Sequence, residues 1–361
     1  MVDWAERADE AWQALIAATR SPGLRGPRIH EPGRIAMVAA WPMSQVLHAA
    51  ALLAAAGVPT RAYGPDQVWR SLRRFRKADG FADSALGGTR YFDDNAWIGL
   101  ACAQRALLAV GETAVGETSA VGNADGALPA GRATAGGTTA GGASAGETRS
   151  VWARRARASL KFVSQGVRRD GGVLWVEGGS DLNACSTGST GLLAAAVGHF
   201  DGRRYPLADA AGEFLDHELG DAEGLIADRV SPSGEVDPSV FTYNQGLAIQ
   251  LRIERGLLRP AEALAESVQD HFGETGFWRH ALAFNAIYLR ALLRLDAVTG
   301  TGRWQDVVTQ YTDRLWRDAR DRRGLISGAG RYDSGFVLDH AAAVGVMAAL
   351  ALPIESQRLV L

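Results

Sequence analysis

Helical segments of two kinds take turns along this chain. Trp304, Val307, Val308, Tyr311 and Leu315 recur at the spacing of one helical face, as do Leu264, Val268 and Phe272, and each set leaves a wet side opposite. Other segments, such as 96–110 (AWIGLACAQRALLAV), 183–197 (NACSTGSTGLLAAAV) and 336–352 (FVLDHAAAVGVMAALAL), are apolar nearly all the way round and must be buried on most sides. The pattern predicts helices at 3–19, 42–56, 66–77, 94–110, 151–166, 183–199, 206–219, 241–256, 260–272, 281–296, 302–318 and 335–352, odd-numbered ones amphipathic and even-numbered ones buried. Six outer and inner pairs point to an all-α fold, an (α/α)6 barrel or six-hairpin toroid. An open two-layer solenoid competes, but the hairpins show no shared sequence signature of the kind a solenoid carries. One domain over 1–361 is expected, with a disordered low-complexity insert at about 111–150, where Gly, Ala, Ser and Thr offer too little to bury.

Composition narrows the partners. The 38 basic residues, all arginine except Lys77 and Lys161, nearly balance 40 acidic ones, so no basic stripe advertises a phosphate backbone and no nucleic acid is expected. The densest run, WRSLRRFRK at 69–77, reads as a solvated helical face behind Val68, Leu72 and Phe75. Cys102 and Cys185 lie in Ala-rich stretches, as small core residues do. The N-terminus carries acids early and lacks the basic-then-apolar layout of an export signal, and no apolar run reaches membrane-spanning length, so a soluble, cytoplasmic protein is expected. The seven histidines show no ligand spacing, and neither a metal nor a cofactor is expected.

If all inner helices run the same way, their starts meet at one end of the ring. Those starts read WPMSQ at 41, YFDDNAW at 91, SDLNACST at 180, VFTYNQG at 240, FWRHALAFN at 277 and RYDSGF at 331. Some of these polar residues are what helix N-termini use as caps. Six clusters of aromatics and amides at one mouth also describe a lined cleft. Sugars fit such a lining, since a pyranose offers C–H faces to rings and hydroxyls to amides and carboxylates. Trp97, Trp175, Tyr243 and Trp278 are candidate rings, and Asn183, Asn244, Gln245 and Asn285 candidate amides.

Asp93 and Asp94 stand side by side at one such start. Their carboxyls can lie about 5 Å apart, the separation used by retaining glycosidases, whereas inversion needs about 6.5–9.5 Å. Mutual repulsion would leave one protonated and one ionised. The plainer reading is a cap followed by a first-turn acid. A DDxxD metal motif is absent, because Ala96 and Trp97 occupy the downstream positions.

Three stretches together, RYFDDNAWIGLACAQ, DGGVLWVEGGSDLNACSTGSTGLLAAAV and VFTYNQGLAIQ, resemble glycoside hydrolase family 76, the endo-α-1,6-mannanases, and the similarity runs from about 40 to 350. The resemblance implies an (α/α)6 barrel and retaining cleavage of α-1,6-linked mannose in mannan or mannose-containing glycoconjugates. It implies Asp93 as nucleophile and Asp94 as general acid/base, with Tyr91, Trp97, Trp175, Asn183, Tyr243, Asn244 and Gln245 along a manno-oligosaccharide groove. The chain departs from the family at LWVEGG, where a second aromatic is usual after Trp175 and Glu177 adds a charge, and in the 111–150 insert. A transglycosylase, a sugar epimerase on the same toroid and a non-catalytic carbohydrate-binding toroid are the alternatives. Epimerases normally line their cleft with histidine, for which only His280, His340 and His48 lie near helix starts.

Overall fold

The computed structural model describes residues 2–21, 27–34, 36–109, 144–328 and 335–361. Six outer helices, α1 (Trp4–Thr19), α3 (Pro65–Leu72), α5 (Ala145–Val163), α7 (Pro206–Glu218), α9 (Leu258–Arg279) and α11 (Arg303–Asp318), alternate with six inner ones. The inner helices are α2 (Ala40–Ala55), α4 (Phe92–Leu108), α6 (Ala184–Asp201), α8 (Thr242–Glu254), α10 (Leu282–Thr299) and α12 (Phe336–Leu350), and a short α13 (Ile354–Gln357) follows. Each inner helix packs on the next and α12 packs on α2, which closes the ring. The chain is therefore the expected (α/α)6 toroid rather than an open solenoid. No helix among the described residues is long and apolar enough to cross a membrane.

Burial follows the periodicity. In α11 the buried side chains are Trp304, Val308, Tyr311, Thr312 and Leu315, one stripe, whereas every residue of α12 after Phe336 is buried. Small residues let the inner helices approach closely. A Cβ on Gly246 of α8 would lie 2.8 Å from the Tyr288 Cα of α10, so only glycine fits there.

After α1 a short antiparallel pair joins β1 (Arg20–Ser21) to β2 (Arg28–Ile29). Several boundaries move for identifiable reasons. The expected helix 66–77 stops at Leu72, and a 3₁₀ turn (Arg73–Phe75) leads into a hairpin of β3 (Arg76–Lys77) and β4 (Gly80–Phe81). Helix α9 runs past the expected 272 to Arg279 across a kink at Gly273, whose φ of 55° only glycine adopts readily. Helix α5 begins at Ala145, six residues early. Its capping box pairs the Ser144 hydroxyl with the Glu147 N–H (3.2 Å) and the Glu147 carboxylate with the Ser144 N–H (3.0 Å). The end of the expected insert, 144–150, is thus N-cap and helix, while 110–143 lie outside the described residues.

Two of the six hairpins share a local turn, although no signature runs through all of them. Asp221 and Asp321 open identical turns with the pattern Asp-x-x-Gly-Leu-Ile. The aspartate Oδ1 accepts from the N–H two and four residues on, at 3.0 and 2.8 Å in the first turn and 2.8 and 2.9 Å in the second. Gly224 and Gly324 both sit at φ 79°. The closing isoleucine then donates its N–H to a buried side chain of the following inner helix, Ile226 to Gln245 Oε1 and Ile326 to His340 Nδ1, each at 2.8 Å. Phe81 donates in the same way to Asn95 Oδ1 (2.7 Å) and Val173 to Thr187 Oγ1 (2.9 Å). Four loops at the same end of the ring are pinned by one device.

Candidate active site

The inner-helix starts converge on a cavity of about 760 Å³. Its wall takes Trp41 from α2, Tyr91, Asp93, Asp94 and Trp97 from the start of α4, Asn183 and Cys185 from α6, Phe241 and Tyr243 from α8, Phe284 from α10 and Leu338 from α12. The loops before α4, α6 and α8 add Asp83, Trp175 and Asp228 with Arg229. Residues 331–334, the polar start expected for the sixth inner helix, lie outside the described residues.

Neither aspartate of the pair caps its helix. The N-cap of α4 is Tyr91, which makes no side-chain cap bond, and Asp93 and Asp94 occupy the first turn. Asp93 Oδ1 accepts from the Asp94 N–H at 2.9 Å and Oδ2 from the Trp175 indole N–H at 3.2 Å. Burial raises the Asp93 pKa to about 6 against these donors, and the Asp228 charge adds to the rise. Burial also holds Asp94 well above the usual carboxylate range, helped by the charges of Asp93 and then Asp83. Both carboxyls are thus raised, with burial outweighing repulsion. Two hydrogen bonds work against the rise at Asp93, whereas burial and both neighbouring charges push Asp94 the same way.

Rings frame the pair. Trp175 is 43% exposed and packs on Tyr91 at 5.3 Å between centroids. Phe284 lies 4.3 Å from Tyr243 and 5.8 Å from Trp41, and Phe241 stacks on Tyr243 at 5.7 Å. Burial, and then the charges of Asp93, Asp228 and Asp94, push the Cys185 thiol well up, so Cys185 is a neutral wall residue.

Two expected groove residues do not line the cavity. Gln245 spends its amide on backbone, accepting from Ile226 N–H and donating to the Ile226 carbonyl (2.8 Å each) and the Phe241 carbonyl (3.2 Å). Asn244 is buried behind the wall and donates to Asp228 Oδ1 at 3.3 Å. Asn183 does line it, capping α6 through its carbonyl, which accepts from the Cys185 N–H at 2.8 Å and the Ser186 N–H at 3.3 Å. Asn285 bonds Thr242, Phe277 and Tyr311 in the core, and Trp278 packs on Tyr311 under Arg314. Glu177 pairs with Arg90, which also holds Asp79 at 2.9 Å, so its charge is neutralised outside the cavity.

Asp228 is the residue the sequence did not single out. It sits on β6 (Ala227–Val230), the middle strand between β5 (Leu182–Asn183) and β7 (Val236–Val240). The turn SPSG between β6 and β7 was a readable hairpin signal, and strand alternation then aims Asp228. Asp83, Trp41, Phe241 and Phe284 were likewise not assigned. No histidine appears among the described wall residues. His340 is bonded to Ile326 and Ala11, His48 is buried in α2, and His280 packs on Phe241, Phe272 and Phe284. No group of three or more His, Cys, Asp or Glu among the described residues is placed to hold a metal ion.

No protein-family model and no curated sequence matches the chain. Solved structures do match. A family 76 glycoside hydrolase from a bovine strain of Bacteroides thetaiotaomicron superposes with TM-score 0.77 at 19% identity, covering 97% of this chain and 78% of that one. The fold is that of the family 76 hydrolases. An inactive variant of the α-1,6-mannanase of a Salegentibacter species, with two consecutive aspartates replaced by asparagine and α-1,6-mannotriose bound, matches with TM-score 0.67 at 16% identity over 97% and 99% of the two chains. A D-mannose isomerase also shares the toroid, with TM-score 0.62 and 11% identity over 95% and 96%.

Proposed function

We propose that this protein is a retaining glycoside hydrolase that cleaves α-1,6-mannosidic bonds through a covalent glycosyl-enzyme intermediate. The observation that carries the reading is the adjacent Asp93 and Asp94 in a ring-lined cavity, the first hydrogen-bonded by Trp175 and the second raised by burial well above the usual carboxylate range. The Salegentibacter mannanase, inactive without its two consecutive aspartates and holding α-1,6-mannotriose, supports it. The fold alone would equally suit an isomerase, but the wall offers carboxylates and rings in place of histidines.

In the first step an Asp93 oxygen attacks C1 of the mannose unit, the C1–O6 bond breaks, and the Asp94 proton passes to the departing O6. In the second step Asp94, now a carboxylate, takes a proton from water, whose oxygen attacks C1 and displaces Asp93. Two inversions leave the α anomer. Trp175 holds Asp93 in place while Trp175, Tyr91 and the Tyr243–Phe284 cluster offer faces to the sugar.

The test is incubation with α-1,6-mannotriose while NMR follows the first anomer released. The α anomer appearing first, with turnover abolished in Asp93→Asn, is expected. A β anomer first would refute retention, and unchanged turnover in Asp93→Asn would remove Asp93 from the chemistry. A wild type that binds mannotriose without cleaving it would make the protein a binding toroid.

A further inference from the structure

The pinned loops share a second property. Two residues beyond each clamped N–H, the chain puts a side chain into the cavity: Asp83 after Phe81, Trp175 after Val173 and Asp228 after Ile226. In the fourth loop the position is Gly328, which has no side chain to offer. Two of these equivalent residues act on Asp93, Trp175 through its indole N–H at 3.2 Å and Asp228 through its charge. Asp83 is the one whose role is open.

Asp83 is fixed firmly. Its carbonyl accepts from the Ala40 N–H and its own N–H donates to the Thr89 carbonyl, both at 2.9 Å, which ties it between the starts of α2 and α4. Its Oδ1 is buried and has no hydrogen-bond partner. Gly88 makes room for that oxygen, since a Cβ there would stand 2.1 Å from it. A buried carboxylate oxygen without a donor is costly, and it is retained here beside Asp94, whose proton its charge favours.

We propose that Asp83 is a positioning residue for the proton-transfer step: its fixed carboxylate keeps the proton on Asp94 until the leaving oxygen takes it. This rests on the glycosidase reading given above. Asp94 shares the cavity wall with Asp93 on its own helix and Asp83 from the preceding loop, and both charges act on it. Asp228 acts on Asp93, and Arg229, the cation in the wall, is engaged by Asp181 at 3.3 Å and Asp237 at 3.5 Å. After Asp93, Asp83 is the charge in the wall that acts on Asp94.

The experiment compares wild type and Asp83→Asn in two readouts. In carboxyl ¹³C NMR of aspartate-labelled protein, the resonance lost in Asp94→Asn identifies Asp94, and in Asp83→Asn it should titrate about 0.5–1 pH unit lower than in wild type. In kinetics on α-1,6-mannotriose, the alkaline limb of kcat/KM should move down by the same amount. Glycosylation by 2,4-dinitrophenyl α-mannoside, whose leaving group needs no proton, should change less than twofold. An unmoved Asp94 titration overturns the proposal, as does a rise in KM with both limbs in place, which would make Asp83 a sugar contact. If the wild type cleaves neither substrate the glycosidase reading fails, and the NMR titration still decides what Asp83 does to Asp94.

Discussion

Replacing Asp93 by asparagine should stabilise the protein at neutral pH and leave it unchanged in acid. In the fold Asp93 titrates near 6 against an ordinary 3.8, because burial penalises its charge. Below pH 3.8 the carboxyl is protonated in both states and costs nothing. As pH rises towards 6 the unfolded chain gives up the proton while the native state keeps it, so stability falls across that window and levels off above it. At about 1.36 kcal/mol per tenfold difference the gap amounts to about 3 kcal/mol. The bonds from the Asp94 N–H and the Trp175 indole are already contained in that gap, and asparagine, like the protonated carboxyl, is uncharged with one carbonyl acceptor. The expected gain is about 3 kcal/mol at pH 7.5 and under about 1 kcal/mol near pH 4, read from urea unfolding midpoints at matched m-values. Without the Asp93 charge Asp94 is also raised less, which adds to the gain in the same direction, and the remaining carboxylates are common to both proteins. Parallel stability curves from pH 4 to 7.5 would refute the reasoning, since they would mean that Asp93 ionises as freely in the fold as out of it.

Trp175→Phe keeps the ring but removes the donor to Asp93, so the acid limb of kcat/KM for α-1,6-mannotriose should shift to higher pH by about 0.5–1 unit; an unmoved limb would show that the indole only packs. Gln245→Leu strips two hydrogen bonds from Ile226 and one from the Phe241 carbonyl, leaves the buried Ile226 N–H and carbonyl unpaired, and should cost about 2–4 kcal/mol in urea unfolding while loosening the Asp228 hairpin to amide exchange. Gly246→Ala forces a Cβ to 2.8 Å from the Tyr288 backbone, and a loss of about 1–3 kcal/mol is expected, with activity retained where the protein is folded.

The ring was legible because burial and periodicity are the same physical fact seen twice. Helix α12 reads as apolar on every side and is buried on every side, and α11 reads as one stripe and buries one stripe. Boundaries failed where the deciding interaction lay outside the periodic pattern. The start of α5 is set by the reciprocal bonds of Ser144 and Glu147 in a stretch too poor in apolar residues to read as helix. The end of α9 is hidden by Gly273, which breaks the helix without ending it. The repeated Asp-x-x-Gly-Leu-Ile turn escaped because its two copies stand a hundred residues apart, and the other two clamps use Phe81 and Val173 in turns of different length.

The catalytic candidates were legible for a different reason from the residues that govern them. Asp93 and Asp94 stand on a helix, where adjacency in sequence fixes adjacency in space. Asp83 and Asp228 act from loops, where position depends on which backbone N–H an inner-helix side chain captures. Asn95 and Gln245 therefore shape the electrostatics of the cleft without touching it: each pins the residue two places before a carboxylate, and that carboxylate then acts on one member of the pair. Asn244 and Gln245 illustrate the cost of reading such residues as sugar ligands. Their amides do serve the site, but through Asp228 and Ile226, so a motif match identified the right neighbourhood and the hydrogen-bond geometry assigned the work. On the proposed mechanism the inner helices supply the reacting groups and the pinned loops set their protonation, which makes the clamps a lever on activity that can be pulled without altering either aspartate.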